Sequence, residues 1–146
     1  MADTWILVAD SARARVFEVT REDPRLREVA AFTNPEGRIA QRELRHDRLP
    51  RVNESMGHAR HAIEPHTSLK QKSTDRFVRM LRDELERGHA THSYEHLVLV
   101  AAPRFMGALH GALHDSLQKC VVAEVKRNLT PMSLAKIREH LPEQLA

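Results

Sequence analysis

Two runs of consecutive apolar residues, Trp5–Ala9 and Leu97–Ala102, constrain the fold of this chain more than any other feature. A strand with one wet face alternates apolar and polar residues. A strand with no polar position has no face to give to water and must be covered on both sides. Two such strands in a chain of 146 residues call for a central sheet with helices packed on it, an α/β architecture. That length suits one domain, residues 1–146, with a core that needs no covalent staples. The only cysteine is Cys120, so no internal disulfide is available and a reducing compartment is expected.

The remaining elements follow from local pattern. After Trp5–Ala9, Asp10-Ser11 reads as a tight turn into a second strand over Ala12–Val19, with Arg13, Arg15, Phe17 and Val19 on one face. A third strand is expected within Arg25–Thr33, broken by Asn34-Pro35-Glu36-Gly37. Thr74 is placed to cap a helix, with Asp75 in its first turn and a stripe of Phe77, Val78, Leu81 and Leu85, closed at Arg87-Gly88. The strand His96–Ala102 leads to Pro103, a helix-start residue, and Phe105, Leu109, Leu113 and Leu117 at intervals of four predict one continuous helix. Val121–Val125 is a fifth strand. Thr130-Pro131 then signals the start of a last helix carrying Leu134, Ile137 and Leu141. The order predicts an antiparallel meander followed by a parallel β-α-β part, about five strands with three main helices.

Between Gly37 and Lys72 no apolar period survives. A short helix over Arg38–His46 fits, and Pro50, Gly57 and Pro65 punctuate the rest. A stretch this long without regular structure is rare inside a compact domain and is usually functional. Its charge is distinctive. Arg38–Lys72 holds eight Lys or Arg against Glu43, Asp47, Glu54 and Glu64, so the segment is +4 while the whole chain is +3. It also holds four of the ten histidines, His46, His58, His61 and His66. Concentrated positive charge attracts phosphate-bearing partners. Arg38, Arg42, Arg45, Arg48 and Arg51 recur every three or four residues, a spacing that suits successive phosphates. With His58, Arg60 and His61 they form the candidate RNA- or anion-binding set. No aromatic residue lies between Phe32 and Phe77, so base stacking is not part of this expectation.

Four motifs carry a family resemblance: Trp5-Ile6-Leu7-Val8-Ala9-Asp10, Ala14-Arg15-Val16-Phe17, Ala101-Ala102-Pro103-Arg104-Phe105-Met106-Gly107, and Val125-Lys126-Arg127-Asn128-Leu129-Thr130. On these the chain resembles a bacterial family described as required for attachment to host cells. That family is in turn similar to the middle domain of archaeo-eukaryotic peptide-chain release factors. The resemblance implies an RNase H-like mixed sheet. It also places the basic segment where release factors carry a Gly-Gly-Gln loop that directs water onto peptidyl-tRNA. Here the nearest run is Met56-Gly57-His58-Ala59-Arg60, without the glycine pair or the glutamine. Peptide release therefore does not carry over.

No complete catalytic set is visible. Asp10 ends the first strand, where an RNase H-like nuclease places its first metal-binding carboxylate. Two-metal chemistry needs several carboxylates, and only Asp115 is a further candidate, so Asp10 reads as a turn residue bonding the local backbone. His58-x-x-His61 lacks the third and fourth ligands a zinc site needs. Cys120 reads as a small buried hydrophobe, and His110 and His114 as surface residues sharing a helix face. No cofactor or metal is expected. The Met1–Asp10 stretch has no basic leader character, and no apolar run approaches a membrane span, so a cytoplasmic protein is expected. The resulting expectation is a non-enzymatic, translation-associated module contacting ribosomal or transfer RNA through residues 38–72. The alternatives are a protein-interaction adaptor that affects attachment indirectly, and an RNA-linked ester hydrolase with His58 in place of the glutamine.

Overall fold

A computed structural model describes residues 3–36 and 56–143, with side chains in the helix that starts at Met56 described from residue 69 onward. Five strands form one mixed sheet: β1 (Thr4–Ala9), β2 (Arg13–Val19), β3 (Arg27–Thr33), β4 (His96–Val100) and β5 (Val121–Val125). Their order is β3-β2-β1-β4-β5. The β1–β2 and β2–β3 pairs are antiparallel, and the β1–β4 and β4–β5 pairs are parallel. This is the open mixed α/β sheet that the order of elements predicts. The two all-apolar runs are its middle strands. In β1 all but Trp5 is buried, and in β4 all but His96.

The two faces of β1 and β4 feed two cores. Leu7, Ala9, Leu97 and Leu99, with Ala14 and Val16 of β2, pack against α1 (Met56–Ala90), α2 (Pro103–Ala112) and α3 (Asp115–Gln118) through Phe77, Leu81, Leu85, Phe105, Leu109 and Leu117. Ile6, Val8, Val98 and Val100, with Phe17 and Val19, pack against Leu129 and against Ile137 of α4 (Leu134–Glu139). Both edge strands carry a register shift that leaves one residue over, Val29 in β3 and Val122 in β5. Both side chains are exposed, at 40% and 51%. A bulge on an edge interrupts the row of backbone groups that another strand would need for pairing.

Helix boundaries differ from the sequence reading at four places. The helix expected to be capped by Thr74 starts at Met56, so residues 56–72 are helical and Thr74 is interior. An apolar stripe reports where a helix is buried and says nothing of where it forms. Among the residues of this helix whose side chains are described, 69–72 are exposed and Ser73 is the first buried one. Pro65 lies within this helix despite lacking a backbone N–H. The helix also runs past Gly88 to Ala90, and His92 closes it instead. The Ser93 N–H bonds Gly88 O at 2.8 Å and the His92 N–H bonds His89 O at 3.1 Å, a Schellman arrangement with His92 left-handed at φ 58°.

The single helix expected over Phe105–Leu117 is two. Leu113 is extended, at φ −76° and ψ 135°. Gln118 Nε2 donates to His110 O and Leu113 O, satisfying carbonyls that the break would orphan. All four leucine-phase residues are buried nonetheless, so the spacing located the core and missed the backbone break. The last helix is capped by Ser133, whose Oγ accepts from Lys136 N at 3.2 Å. Thr130 is employed elsewhere. Cys120 is half-buried, its thiol near Ser116 O at 3.5 Å, and less enclosed than expected.

Candidate nucleic-acid interface

At the carboxyl end of β1 the chain turns sharply into β2, and Asp10 organises the turn. Its Oδ1 accepts the backbone N–H groups of Ala12 and Arg13, both at 2.8 Å. This is the local role expected for Asp10. Its second oxygen reaches across the sheet end to the β5–α4 connection. Thr130 Oγ1 lies 2.7 Å from Oδ2, and Asn128 Nδ2 lies 3.5 Å from it. Asn128 Oδ1 accepts the Thr130 N–H at 3.1 Å and sits 2.8 Å from the Thr130 hydroxyl. No second carboxylate joins Asp10 among the described residues, and no group of three His, Cys, Asp or Glu is placed to hold an ion there. The geometry is that of a brace between the first strand and the last connection.

Arg15 braces the same connection from β2. Its Nη1 donates to Thr130 O at 3.1 Å and Met132 O at 2.9 Å, and its other nitrogens pair with Glu28 on β3. The guanidinium stacks 4.9 Å over Phe17, which adds a cation–π contribution. On the α1 side of this end, Asn34 is buried and its Nδ2 donates to Ser11 O at 2.9 Å and Ser73 Oγ at 3.1 Å. Arg76 of α1 holds Glu36 in a bidentate pair, its Nε and Nη2 each donating to one carboxylate oxygen. That pairing keeps the Glu36 carboxyl below its usual range. Ser73, buried on α1, is therefore tied to the carboxyl end of the sheet. Residues 56–72, about 25 Å of helix at 1.5 Å per residue, precede that tie.

Arg38, Arg42, Arg45, Arg48 and Arg51 lie outside the described residues, between Glu36 and the start of α1. The short helix read over Arg38–His46 lies outside them too. His58, Arg60 and His61 lie on the first turns of α1, where the backbone is helical and the side chains are outside the described set. Lys70 and Lys72, the last bases of the segment, are exposed on α1. Arg79, further along the helix, is exposed too. The brace residues Arg15, Asn34, Ser73, Asn128 and Thr130 were not legible as partners. Only the short motifs around Arg15 and Thr130 signalled them.

The opposite end of the sheet has the other polarity. A groove of about 570 Å³ opens there between the β2–β3 turn and the α1–β4 turn. Asp3, Glu18, Glu22, Asp23 and Glu95 line it against Arg21, Arg25 and Arg27. Arg25 is committed to Asp23 and Arg27 to Glu18. An excess of carboxylates repels phosphate, so this groove does not compete for an anionic partner. His110 and His114 are exposed as expected, with His110 Nδ1 2.9 Å from Glu124 and His114 Nε2 3.0 Å from Glu86.

A family model described as "protein required for attachment to host cells" matches residues 5–141. The chain belongs to that family. No curated protein matches it. The motifs on which the resemblance rested have structural roles in this chain. Trp5 packs on Tyr94, Asp10 holds Thr130, and Arg15 holds the carbonyls of Thr130 and Met132. Family membership does not by itself specify chemistry. No helix among the described residues is long and apolar enough to cross a membrane.

Proposed function

We propose that this host-attachment-family protein is a non-enzymatic RNA-binding module of the cytoplasm, associated with translation. In this reading it contacts ribosomal or transfer RNA through residues 38–72. The observation that carries the reading is the concentration of charge. The segment is +4 and the remainder of the chain is −1. The exposed bases Lys70 and Lys72 continue it along α1 toward Arg79. Binding of this kind depends on counterion release and is steeply sensitive to salt. The resemblance to release-factor middle domains adds that this position in the chain is one used for RNA-rich sites, and the missing Gly-Gly-Gln separates binding from peptide release.

Sedimentation of cell lysate through sucrose gradients at low and high salt tests the proposal. Co-migration with ribosomal fractions at low salt, released at high salt, is the expected result. Absence from every ribosomal fraction at low salt refutes it. The triple substitution Arg42→Gln, Arg45→Gln, Arg48→Gln should weaken RNA binding and flatten its salt dependence by about one counterion per lost phosphate contact.

A further inference from the structure

The carboxyl end of β1, β4 and β5 carries a set of cations outside residues 38–72. Arg13 follows the β1–β2 turn, Arg104 opens α2 just after β4, and Lys126 and Arg127 follow β5. All four are exposed, and none has a side-chain hydrogen bond or ion pair with a described residue. The register puts their turns side by side. Ala9 pairs with Ala14, Val8 with Val100, and Val100 with Val125, and the Ala101 N–H bonds Val125 O at 3.0 Å. Neighbouring strands are about 4.8 Å apart, so the three turns fall within roughly 10 Å of one another.

Acidic groups near these turns are engaged inside the fold. Asp10 is occupied by Ala12, Arg13, Thr130 and Asn128, Glu36 by Arg76, and Asp75 by Gln71. Hydrogen bonds within the chain hold these carboxylates, and the four cations face outward without a partner among the described residues. The Asp10 and Arg15 braces fix the β5–α4 connection that bears Lys126 and Arg127, so little ordering remains to be done on binding.

We propose that Arg13, Arg104, Lys126 and Arg127 form a preorganised phosphate-contacting rim, an RNA-contacting surface in addition to residues 38–72. The inference rests on the RNA-binding reading above and deepens it by assigning a second surface and its target, the phosphodiester backbone. An acidic protein partner fits less well. Protein interfaces have an apolar core, and of the large exposed apolar side chains among the described residues only Met132 lies on one of these three connections.

The test measures binding of a fluorescent RNA hairpin by anisotropy across a salt series. It uses the native protein, a rim variant (Arg13→Gln, Arg104→Gln, Lys126→Gln, Arg127→Gln), and the segment variant (Arg42→Gln, Arg45→Gln, Arg48→Gln). The rim variant should bind at least tenfold more weakly. Its slope of log affinity against log salt should fall by roughly 0.9 for each contact removed. A charge-keeping variant (Arg13→Lys, Arg104→Lys, Arg127→Lys) should retain most of the affinity, which separates charge loss from misfolding. A rim variant with native affinity and slope, beside a weakened segment variant, overturns the rim and leaves the RNA-binding reading standing. Loss in the rim variant alone keeps the rim and overturns the segment. A native protein that binds no RNA at low salt overturns both. Polyglutamate that displaces the hairpin at equal charge concentration overturns the choice of RNA as partner.

Discussion

Replacing Gly88 by alanine sets helix propensity against packing at one position, and the structure gives the sign. Gly88 lies inside α1, where alanine is ordinarily favoured over glycine by about 1 kcal/mol. A Cβ built there would stand 2.7 Å from both Cη2 and Cζ3 of Trp5 and 3.0 Å from Cε1 of Tyr94. Neither ring yields easily. The two stack at 4.8 Å between centroids. The Trp5 indole N–H donates to Glu18 Oε2 at 3.1 Å, and Glu18 is itself held by Arg27. Tyr94 is 2% exposed and its hydroxyl donates to Leu85 O at 2.5 Å. Burial, with Cys120 and Glu86 nearby, pushes the phenol pKa up, so that donor stays protonated. Overpacking a core typically costs 1–3 kcal/mol. Subtracting the propensity gain leaves a net destabilisation of up to about 2 kcal/mol. Urea unfolding followed by circular dichroism measures the total, and Trp5, the only tryptophan, reports the local site by fluorescence. Gly107→Ala is the control, because a Cβ there meets nothing within 4 Å. It should stabilise by about 0.5–1 kcal/mol. If Gly88→Ala stabilises as much as Gly107→Ala, the close approach of the helix to Trp5 and Tyr94 is wrong.

Three further outcomes follow from the same geometry. His92→Gly should raise stability by about 0.5–1 kcal/mol, since glycine takes the left-handed conformation without the Cβ penalty and loses part of the gain to unfolded-chain entropy; a thermal melt that is unchanged or lowered contradicts this. Asp10→Ala should cost about 2–3 kcal/mol, because it strips acceptors from two backbone N–H groups and from the buried Thr130 hydroxyl; urea unfolding at native stability would show that the brace is dispensable. The Glu36 carboxyl should titrate below its ordinary 4.5, chiefly through its hydrogen bonds from Arg76. Because the folded value is depressed, the pair's contribution is present at neutral pH and is lost as pH falls through that folded value. Carboxyl-detected NMR titration of native and Arg76→Gln protein checks it, and an identical Glu36 curve in the two would remove the pairing.

The sequence by itself determined the sheet. Trp5–Ala9 and Leu97–Ala102 had no polar position to offer water, so they had to be the covered middle strands, and they are. It also determined the phase of the helices that touch the core, since Phe77, Leu81, Leu85, Phe105, Leu109 and Leu117 are buried where the spacing put them. The charge imbalance of Arg38–Lys72, which motivates the proposed site, was legible for the same reason: it is a property of composition and local order. Tertiary structure decided where helices begin and end. Residues 56–72 are helical without an apolar stripe, so periodicity could not see α1 before Ser73. The break at Leu113 depends on Gln118 folding back to two carbonyls, and the closure of α1 depends on a histidine in a conformation that sequence rules reserve for glycine. Tertiary structure alone joined Asp10 to Thr130 across 120 residues and lined up Arg13, Arg104, Lys126 and Arg127 at one end of the sheet. Local pattern encodes what a residue does with water and its near neighbours. Contacts between distant turns depend on strand order, and strand order is settled only when the sheet closes on its helices.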